Sequence, residues 1–161
     1  MARSARAADE RRKVGMLVPP PLLLLALMAV CVVAQAFWLG GLTFSPVRDA
    51  LGLLALAASI GLVAACGARF VKAGTPFRPT SPTTAIVEDG PYRVSRNPMY
   101  LGMAGALAGL GVLFGGLCFA AAAVLFLIVV HFGVVLPEER YLEARHGAAY
   151  RQYKRRVRRW M

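Results

Sequence analysis

The sequence predicts an all-α integral membrane protein, a helical bundle of about four transmembrane helices with a cytoplasmic loop and a C-terminal amphipathic helix. Hydrophobic residues make up 58% of the 161 residues, yet the net charge is +11, so the apolar and basic residues must lie in separate segments. A bilayer core about 30 Å thick needs about 20 apolar residues per helix. Runs of this length cover residues 17–39 and 50–68, and Gly115-Gly116 divides a run of twice that length, residues 99–136, into a hairpin.

The N-terminal part divides into a polar leader and the first helix. Residues 1–14 are predicted to be a disordered or interfacial cytoplasmic leader, and residues 15–161 a single membrane domain. Prolines at residues 19–21 mark the helix start, because proline is tolerated in a first turn. Residues 22–36 also resemble a cleavable signal peptide. The apolar run continues to Leu39, however, which favours an uncleaved transmembrane helix.

The distribution of basic residues predicts the orientation in the membrane. Lys and Arg precede the first helix, recur in the loop after the second helix, and dominate the tail after residue 139, whereas Arg48 is the basic residue of the first loop. The positive-inside rule therefore predicts cytoplasmic termini and a cytoplasmic second loop, in a membrane of the bacterial inner type. The charges adjoin membrane ends, so their predicted partners are lipid headgroups and not nucleic acid. The sequence indicates no obligate protein partner.

Cysteines and small residues are interpreted as packing features. Cys31, Cys66 and Cys118 each lie in a different helix, without the paired spacing of a disulfide framework or a metal site, so no metal is predicted. Ala57, Gly61 and Ala65 share one face of the second helix, and Gly105 and Gly109 one face of the third. Small residues at this spacing allow helix backbones to approach closely.

Two polar segments bracket the C-terminal hairpin. The first covers residues 90–102 and the second residues 137–141. Because a hairpin returns to the membrane face from which it started, the two segments are predicted to form one polar site at the cytoplasmic face. The long loop over residues 69–97 is rich in Gly and Pro and is predicted to lie over this site as a lid on the membrane surface.

The first polar segment contains a helix start. Asn97 is predicted as the N-cap and Pro98 as the first helical residue of the third helix. The positive end of that helix, next to Arg93 and Arg96, favours a carboxylate or a phosphate. A capped helix with arginines that reach lipid headgroups is the alternative interpretation.

The second polar segment places two carboxylates at the end of the fourth helix. Glu138 and Glu139 follow Pro137 within an otherwise basic tail. Two adjacent carboxylates at a low-dielectric edge suit a cation or ribose hydroxyls. They equally suit the first turn of a new helix, where acidic residues are favourable.

His131 is the ionisable residue inside the predicted fourth helix, two turns from Glu138, and such a group usually faces a bundle interior or a wet cavity. It is a candidate site residue, or a histidine hydrogen-bonded to another helix. Tyr150, Tyr153, Val157 and Trp160 recur every three or four residues among basic residues, which predicts an amphipathic interfacial helix.

These segments together resemble the isoprenylcysteine carboxyl methyltransferase and phospholipid methyltransferase superfamily, over about residues 72–161. The resemblance lies in an ordered set of segments: Gly90-Pro91-Tyr92-Arg93, Ser95-Arg96-Asn97-Pro98-Met99-Tyr100-Leu101-Gly102, Glu138-Glu139-Arg140-Tyr141-Leu142, Gly147, Tyr150, Tyr153 and Val157-Arg158-Arg159-Trp160. It implies a membrane methyltransferase that uses S-adenosylmethionine, held within residues 90–161 at the cytoplasmic ends of the last helices.

The resemblance also implies a set of cofactor-binding residues: Tyr92, Arg96, Asn97, Pro98, Tyr100, Gly102, His131, Glu138, Glu139 and Tyr150. In this hypothesis Arg96 and the helix start hold the cofactor carboxylate, Glu138 or Glu139 its amino group or ribose, and His131 with Tyr100 its adenosine. Family members commonly have His where this chain has Asn97, and Asn removes a titrating group, so no catalytic base is identified.

The methyl acceptor is predicted only as lipophilic or small, such as an isoprenylcysteine carboxylate, a lipid amine or a thiol. Two other functions are kept as alternatives. One is a membrane reductase that uses a nicotinamide cofactor, and the other is a non-catalytic membrane subunit.

Overall fold

The protein is mostly helical in the residues that the computed structural model describes, which are 19–38, 45–74 and 86–161. The leader over residues 1–14 and the middle of the predicted lid lie outside these ranges. The elements follow in chain order: α1 (Pro20–Trp38), α2 (Pro46–Lys72), a 3₁₀ turn (Gly90–Arg93), α3 (Pro98–Phe114), α4 (Leu117–Val130), a π-helical turn (His131–Val135), α5 (Leu136–His146) and α6 (Ala148–Arg156). The described residues contain no strand, which confirms the predicted all-α class.

Three helical segments are long and apolar enough to cross a membrane. They are Pro20–Phe37, Pro46–Lys72 and Leu117–His146, the last of which joins α4, the π-helical turn and α5. The fourth apolar helix, α3, has 17 residues and so is about 26 Å long. Large apolar side chains face outward, among them Phe37 at 80% exposure and Leu117 at 87%. An apolar exposed surface of this kind is typical of a protein surrounded by lipid.

Two compact units can be distinguished. The first, here called the helical unit, comprises residues Pro19–Val63 and Met99–Val130. The second, here called the terminal unit, comprises the described parts of Ala64–Pro98 together with His131–Met161. The helix α2 runs through both, since its residues up to Val63 belong to the helical unit and the rest to the terminal unit.

Within the helical unit, glycines allow α2 and α3 to approach closely. A Cβ atom at Gly105 would lie 2.6 Å from Ser59 Oγ, and one at Gly109 would lie 3.0 Å from the Leu56 nitrogen, so the predicted packing role of both glycines is confirmed. The prediction for Gly61 is wrong, because a Cβ there would meet no atom within 4 Å. Its face of α2 is turned outward.

The hairpin between α3 and α4 turns at the predicted glycines. Gly115 has a φ of +66°, a left-handed conformation that side chains rarely adopt. The N–H of Gly116 donates to the carbonyl of Gly111, and Gln35 of α1 donates from Nε2 to the carbonyl of Phe114. These bonds satisfy backbone groups that the end of α3 would otherwise leave without partners.

Two of the three cysteines contact each other. The sulfur atoms of Cys31 on α1 and Cys118 on α4 are 2.7 Å apart, although each lies in a different helix as the sequence predicts. Sequence spacing gave no indication of this contact, since 87 positions separate the two residues. Cys66 is buried in the terminal unit, at 0% exposure.

The terminal unit contains residues 90–98 of the first polar segment, the whole second polar segment and the tail. Its core consists of Tyr150 and Tyr153 of α6 with Val157, against which Ile86 and Leu142 pack. The predicted amphipathic helix is present but ends at Arg156, and the following residues are extended. Helix α2 continues to Lys72, so the irregular loop is shorter than the predicted residues 69–97.

Candidate functional site

The two polar segments meet through a buried ion pair. Arg96 lies just before the first residue of α3, and Glu139 lies in the first turn of α5. Their side chains approach to 2.8 Å between Arg96 Nη1 and Glu139 Oε1, and each is 9% exposed. The segment before the apolar hairpin therefore supplies the arginine, and the segment after it supplies the carboxylate, of one ion pair within the terminal unit.

Arg159 is a second cation on the same carboxylate. Its Nε donates to Glu139 Oε1 at 3.0 Å, and its Nη2 donates to Glu139 Oε2 at 2.9 Å, so the two side chains meet in a fork. This bidentate geometry matches the planar guanidinium to the planar carboxylate. The hydrogen bonds that Arg159 donates to Glu139 raise the pKa of Arg159. Arg96, Glu139 and Arg159, called the charge triad below, carry one surplus positive charge.

Backbone and amide hydrogen bonds hold the tail against the helix start. Asn97 Nδ2 donates to the carbonyl of Arg159 at 2.9 Å, and the backbone N–H of Arg96 donates to the carbonyl of Arg158 at 3.0 Å. Ser95 and Arg158 form a parallel β-bridge at this point. The start of α3 at Pro98 agrees with the predicted boundary, and the Asn97 side chain fixes the tail that carries Arg159.

Three tyrosines form a buried aromatic wall beside the charge triad. The hydroxyl of Tyr153 donates to the carbonyl of Tyr92 at 2.8 Å, which ties α6 to the 3₁₀ turn. Burial and the negative charge of Glu139 raise the pKa of Tyr150 to about 12, although a hydrogen bond from Arg96 opposes the shift. Burial also raises the pKa values of Tyr92 and Tyr153. All three phenols are therefore neutral at physiological pH.

His131 stands at the first position of the π-helical turn, where α4 passes into α5. Its ring centroid lies 4.8 Å from that of Phe132 and 5.9 Å from that of Trp160 in the tail. Its Nδ1 atom is buried and has no hydrogen-bond partner among the described residues. π-helical turns within α-helices occur frequently at functional sites, and a buried unpartnered nitrogen is costly without a ligand.

The terminal unit brings together eight of the ten residues predicted to bind cofactor: Tyr92, Arg96, Asn97, Pro98, His131, Glu138, Glu139 and Tyr150. Tyr100 and Gly102 belong to the helical unit. A Cβ at Gly102 would lie 2.7 Å from Val63 Cγ2 and 3.2 Å from the Ser59 carbonyl, so this glycine allows close packing on α2. Tyr100 is buried, at 9% exposure.

Sequence reasoning missed two members of the site. Arg159 was counted among the charges that meet lipid headgroups, and Tyr153 was interpreted as an interfacial anchor. Helical periodicity could not identify Arg159, because the chain is extended after Arg156. The sequence feature that could have identified Arg159 is the last segment of the family resemblance, residues 157–160, in which Arg159 immediately precedes Trp160.

Similarity to known proteins identifies one family. The phospholipid methyltransferase family matches residues 47–149, well over half of the chain and a range that includes both polar segments. An uncharacterized protein of Haemophilus influenzae is 42% identical over 38 residues, which are 24% of this chain and 60% of that protein. No solved structure matches. The chain belongs to the phospholipid methyltransferase family, part of the isoprenylcysteine carboxyl methyltransferase-like superfamily.

Proposed function

We propose that the protein binds S-adenosylmethionine in the terminal unit and methylates a lipophilic or small acceptor at the cytoplasmic membrane face. The observation that carries the proposal is the charge triad, in which both polar segments meet and the buried Nε of Arg96 has no hydrogen-bond partner among the described residues. Acceptors consistent with the membrane setting are a carboxylate such as that of an isoprenylcysteine, a lipid amine and a thiol. Association with membrane lipids and the absence of an obligate protein partner belong to the same proposal.

Arg96 fits the carboxylate of the cofactor. Its Nε is buried and has no hydrogen-bond acceptor among the described residues, although the same side chain is paired with Glu139 through Nη1. A donor buried in this way costs about 1–3 kcal/mol unless an acceptor is supplied. A carboxylate at this position would provide the acceptor and balance the surplus positive charge of the triad.

The two glutamates have different functions in this proposal. Both oxygens of Glu139 already accept hydrogen bonds from Arg159, and Oε1 also contacts Arg96, so Glu139 orients the two arginines. Glu138 precedes it in the first turn of α5 and is assigned to the amino group or the ribose hydroxyls. A carboxylate is a suitable acceptor for either group.

His131 and Trp160 fit the adenine portion. Their ring planes are tilted by 37° with centroids 5.9 Å apart, and His131 Nδ1 is a buried polar atom without a partner among the described residues. A flat heteroaromatic base could contact both rings and hydrogen-bond to this nitrogen. Tyr100 lies in the helical unit and is not part of this assignment.

The cofactor would supply an electrophilic methyl group on a sulfonium sulfur, which a lone pair of the acceptor attacks. The contribution of the chain is then to bind, orient and exclude water. Arg96, held by Glu139 at low exposure, fixes one end of the binding site, and the neutral tyrosines provide an apolar wall. Positioning the two reactants and excluding water in this way increase the rates of bimolecular reactions by large factors.

Calorimetric titration of the purified full-length protein with S-adenosylhomocysteine tests the proposal. We expect saturable binding, and at least a tenfold weaker affinity for Glu139→Gln, because Arg96 and Arg159 lose their common partner. Glu143→Gln is the matched control. Glu143 of α5 pairs with Lys154 of α6, outside the charge triad, so this substitution should leave the affinity unchanged. No binding by the wild type up to millimolar concentration, or equal binding by Glu139→Gln, would overturn the assignment.

A further inference from the structure

The contact between Cys31 and Cys118 lies in the helical unit and has no part in the proposed cofactor site. The two sulfur atoms are 2.7 Å apart and neither residue is in a disulfide. A disulfide has a sulfur–sulfur bond of about 2.05 Å. A movement of less than 1 Å would therefore bring the two atoms to bonding distance. We propose that Cys31 and Cys118 form a reversible disulfide that joins α1 to α4.

A second contact of α1 holds the two cysteines in register. Gln35 lies one helical turn after Cys31 on α1, and its Nε2 donates to the carbonyl of Phe114 at the end of α3. Its Oε1 lies only 2.7 Å from the position of a Cβ on Gly116, so the amide packs against the hairpin turn that leads into α4. The position of α1 beside Cys118 therefore does not depend on the sulfur contact alone.

The two thiols differ in access. Cys118 is the second residue of α4, directly after the hairpin turn, and is half-buried. Cys31 is 2% exposed in the middle of α1. Cys118 is therefore near a membrane face and is the thiol that an oxidant reaches first, and Cys31 is the thiol that completes the bond.

The reaction balances as two thiol–disulfide exchanges with a small disulfide as the oxidant. The thiolate of Cys118 attacks one sulfur of the oxidant, forms a mixed disulfide and releases one thiol. The thiolate of Cys31 then attacks the Cys118 sulfur, forms the intramolecular bond and releases the second thiol. Two protein thiols are oxidised, one external disulfide is reduced to two thiols, and the protons of the two cysteines end on the released thiols.

The third cysteine, Cys66, is buried in the terminal unit beside Tyr92. Cys31 and Cys118 both belong to the helical unit. Replacing Cys66 by Ser gives a chain in which only the proposed pair can react.

The test uses purified full-length Cys66→Ser protein in detergent, treated with diamide or with dithiothreitol and then denatured and labelled with a polymer-tagged maleimide. Diamide accepts two electrons and two protons and leaves no adduct on a completed disulfide. We expect two tags after dithiothreitol, none after diamide, and a monomer on a non-reducing gel. The double variant Cys31→Ser/Cys66→Ser should carry one tag after dithiothreitol. Because it has no second thiol, diamide should not remove this tag by forming an intramolecular disulfide.

The thermal stability of the same samples provides a readout besides the tag count. Oxidised Cys66→Ser should unfold at a higher temperature than its reduced form, and Cys31→Ser/Cys66→Ser should show no such difference. Two tags on Cys66→Ser after diamide would overturn the proposal. A diamide-dependent dimer would also overturn it, because the cysteines would then pair between molecules.

Discussion

At the scale of single residues, the charge triad pairs one buried carboxylate with two cations. Glu139 is 7% exposed, and removal of a lone carboxylate from water to this extent costs several kcal/mol. Arg96 and Arg159 both approach it, so its two oxygens face three guanidinium nitrogens. The surplus positive charge is the residue-level reason to expect that the site accepts an anionic group.

Because three tyrosines are buried, we expect the folded protein to lose stability at alkaline pH. The pKa of Tyr150 is raised to about 12 mainly by burial, above the ordinary value of 10, so the folded protein holds this proton more tightly than the unfolded chain. The resulting stability is fully present below pH 10 and is lost as the pH rises toward about 12. Tyrosinate absorbance should show late ionisation of Tyr92, Tyr150 and Tyr153.

A matched variant separates Tyr150 from the other phenols. Tyr150→Phe should remove one late-titrating phenol from the absorbance curve. Unfolding should also depend less steeply on pH between 10 and 12 than in the wild type. If all tyrosines of the native protein ionised together near pH 10, as in the denatured chain, the assignment of these three to a buried wall would be contradicted.

The residues of the site could be predicted in part. The two polar segments that contain Arg96 and Glu139 were expected to form one site, because they bracket an apolar hairpin. Arg159 was not expected, because it is one of many basic residues in the tail and local pattern does not distinguish them. Its position depends on hydrogen bonds from Asn97 and Arg96 to the tail backbone, which are contacts between segments about 60 residues apart.

At the scale of the elements, the lengths of the apolar runs and the turn residues predicted the helix boundaries better than the periodicity of the side chains did. The hairpin turn at Gly115-Gly116 and the start of α3 at Pro98 both follow from local chemistry, namely a positive φ and a fixed proline φ. The end of α6 at Arg156 could not be predicted in this way. There the aromatic spacing continues to Trp160, but backbone bonds to Ser95 and Arg96 hold the tail extended.

Helix packing gives a prediction with an internal control. A Cβ on Gly52 would lie 2.7–2.8 Å from backbone atoms of Leu113, which cannot move without displacing α3. Gly52→Ala should therefore destabilise the protein by about 1–3 kcal/mol, the usual cost of overpacking. Gly61→Ala meets no atom within 4 Å and should be neutral or slightly stabilising, since Ala is the better helix former.

Thermal unfolding in one detergent would measure both substitutions. The expected order of melting temperatures places Gly61→Ala at or above the wild type and Gly52→Ala several degrees below it. Equal melting temperatures for the two variants would contradict the close approach of α2 and α3 at Gly52. The comparison is informative because the two sites lie on the same helix and differ by the same single methyl group.

At the scale of the whole molecule, charge is segregated along an otherwise apolar chain. Nineteen Lys and Arg residues against eight Asp and Glu residues give a net charge of +11. The window that defines each membrane-spanning helix nevertheless holds at most two charged residues. The hairpin turn carries none, and the tail carries many. This asymmetry predicts that the tail and the proposed cofactor site are cytoplasmic and that the turn lies on the opposite side.

Cysteine labelling from each side of the membrane tests this orientation. In a background in which the three native cysteines are Ser, Leu117→Cys places a thiol beside the turn, where Leu117 is 87% exposed, and Arg155→Cys places one on the exposed face of α6. A membrane-impermeant maleimide should label Leu117→Cys in intact cells and Arg155→Cys only in inverted vesicles. The reverse pattern would place the tail outside, where it could not meet a cytoplasmic methyl donor. The positive-inside rule predicts that the two positions lie on opposite sides of the membrane. Labelling of both variants in intact cells would contradict this prediction.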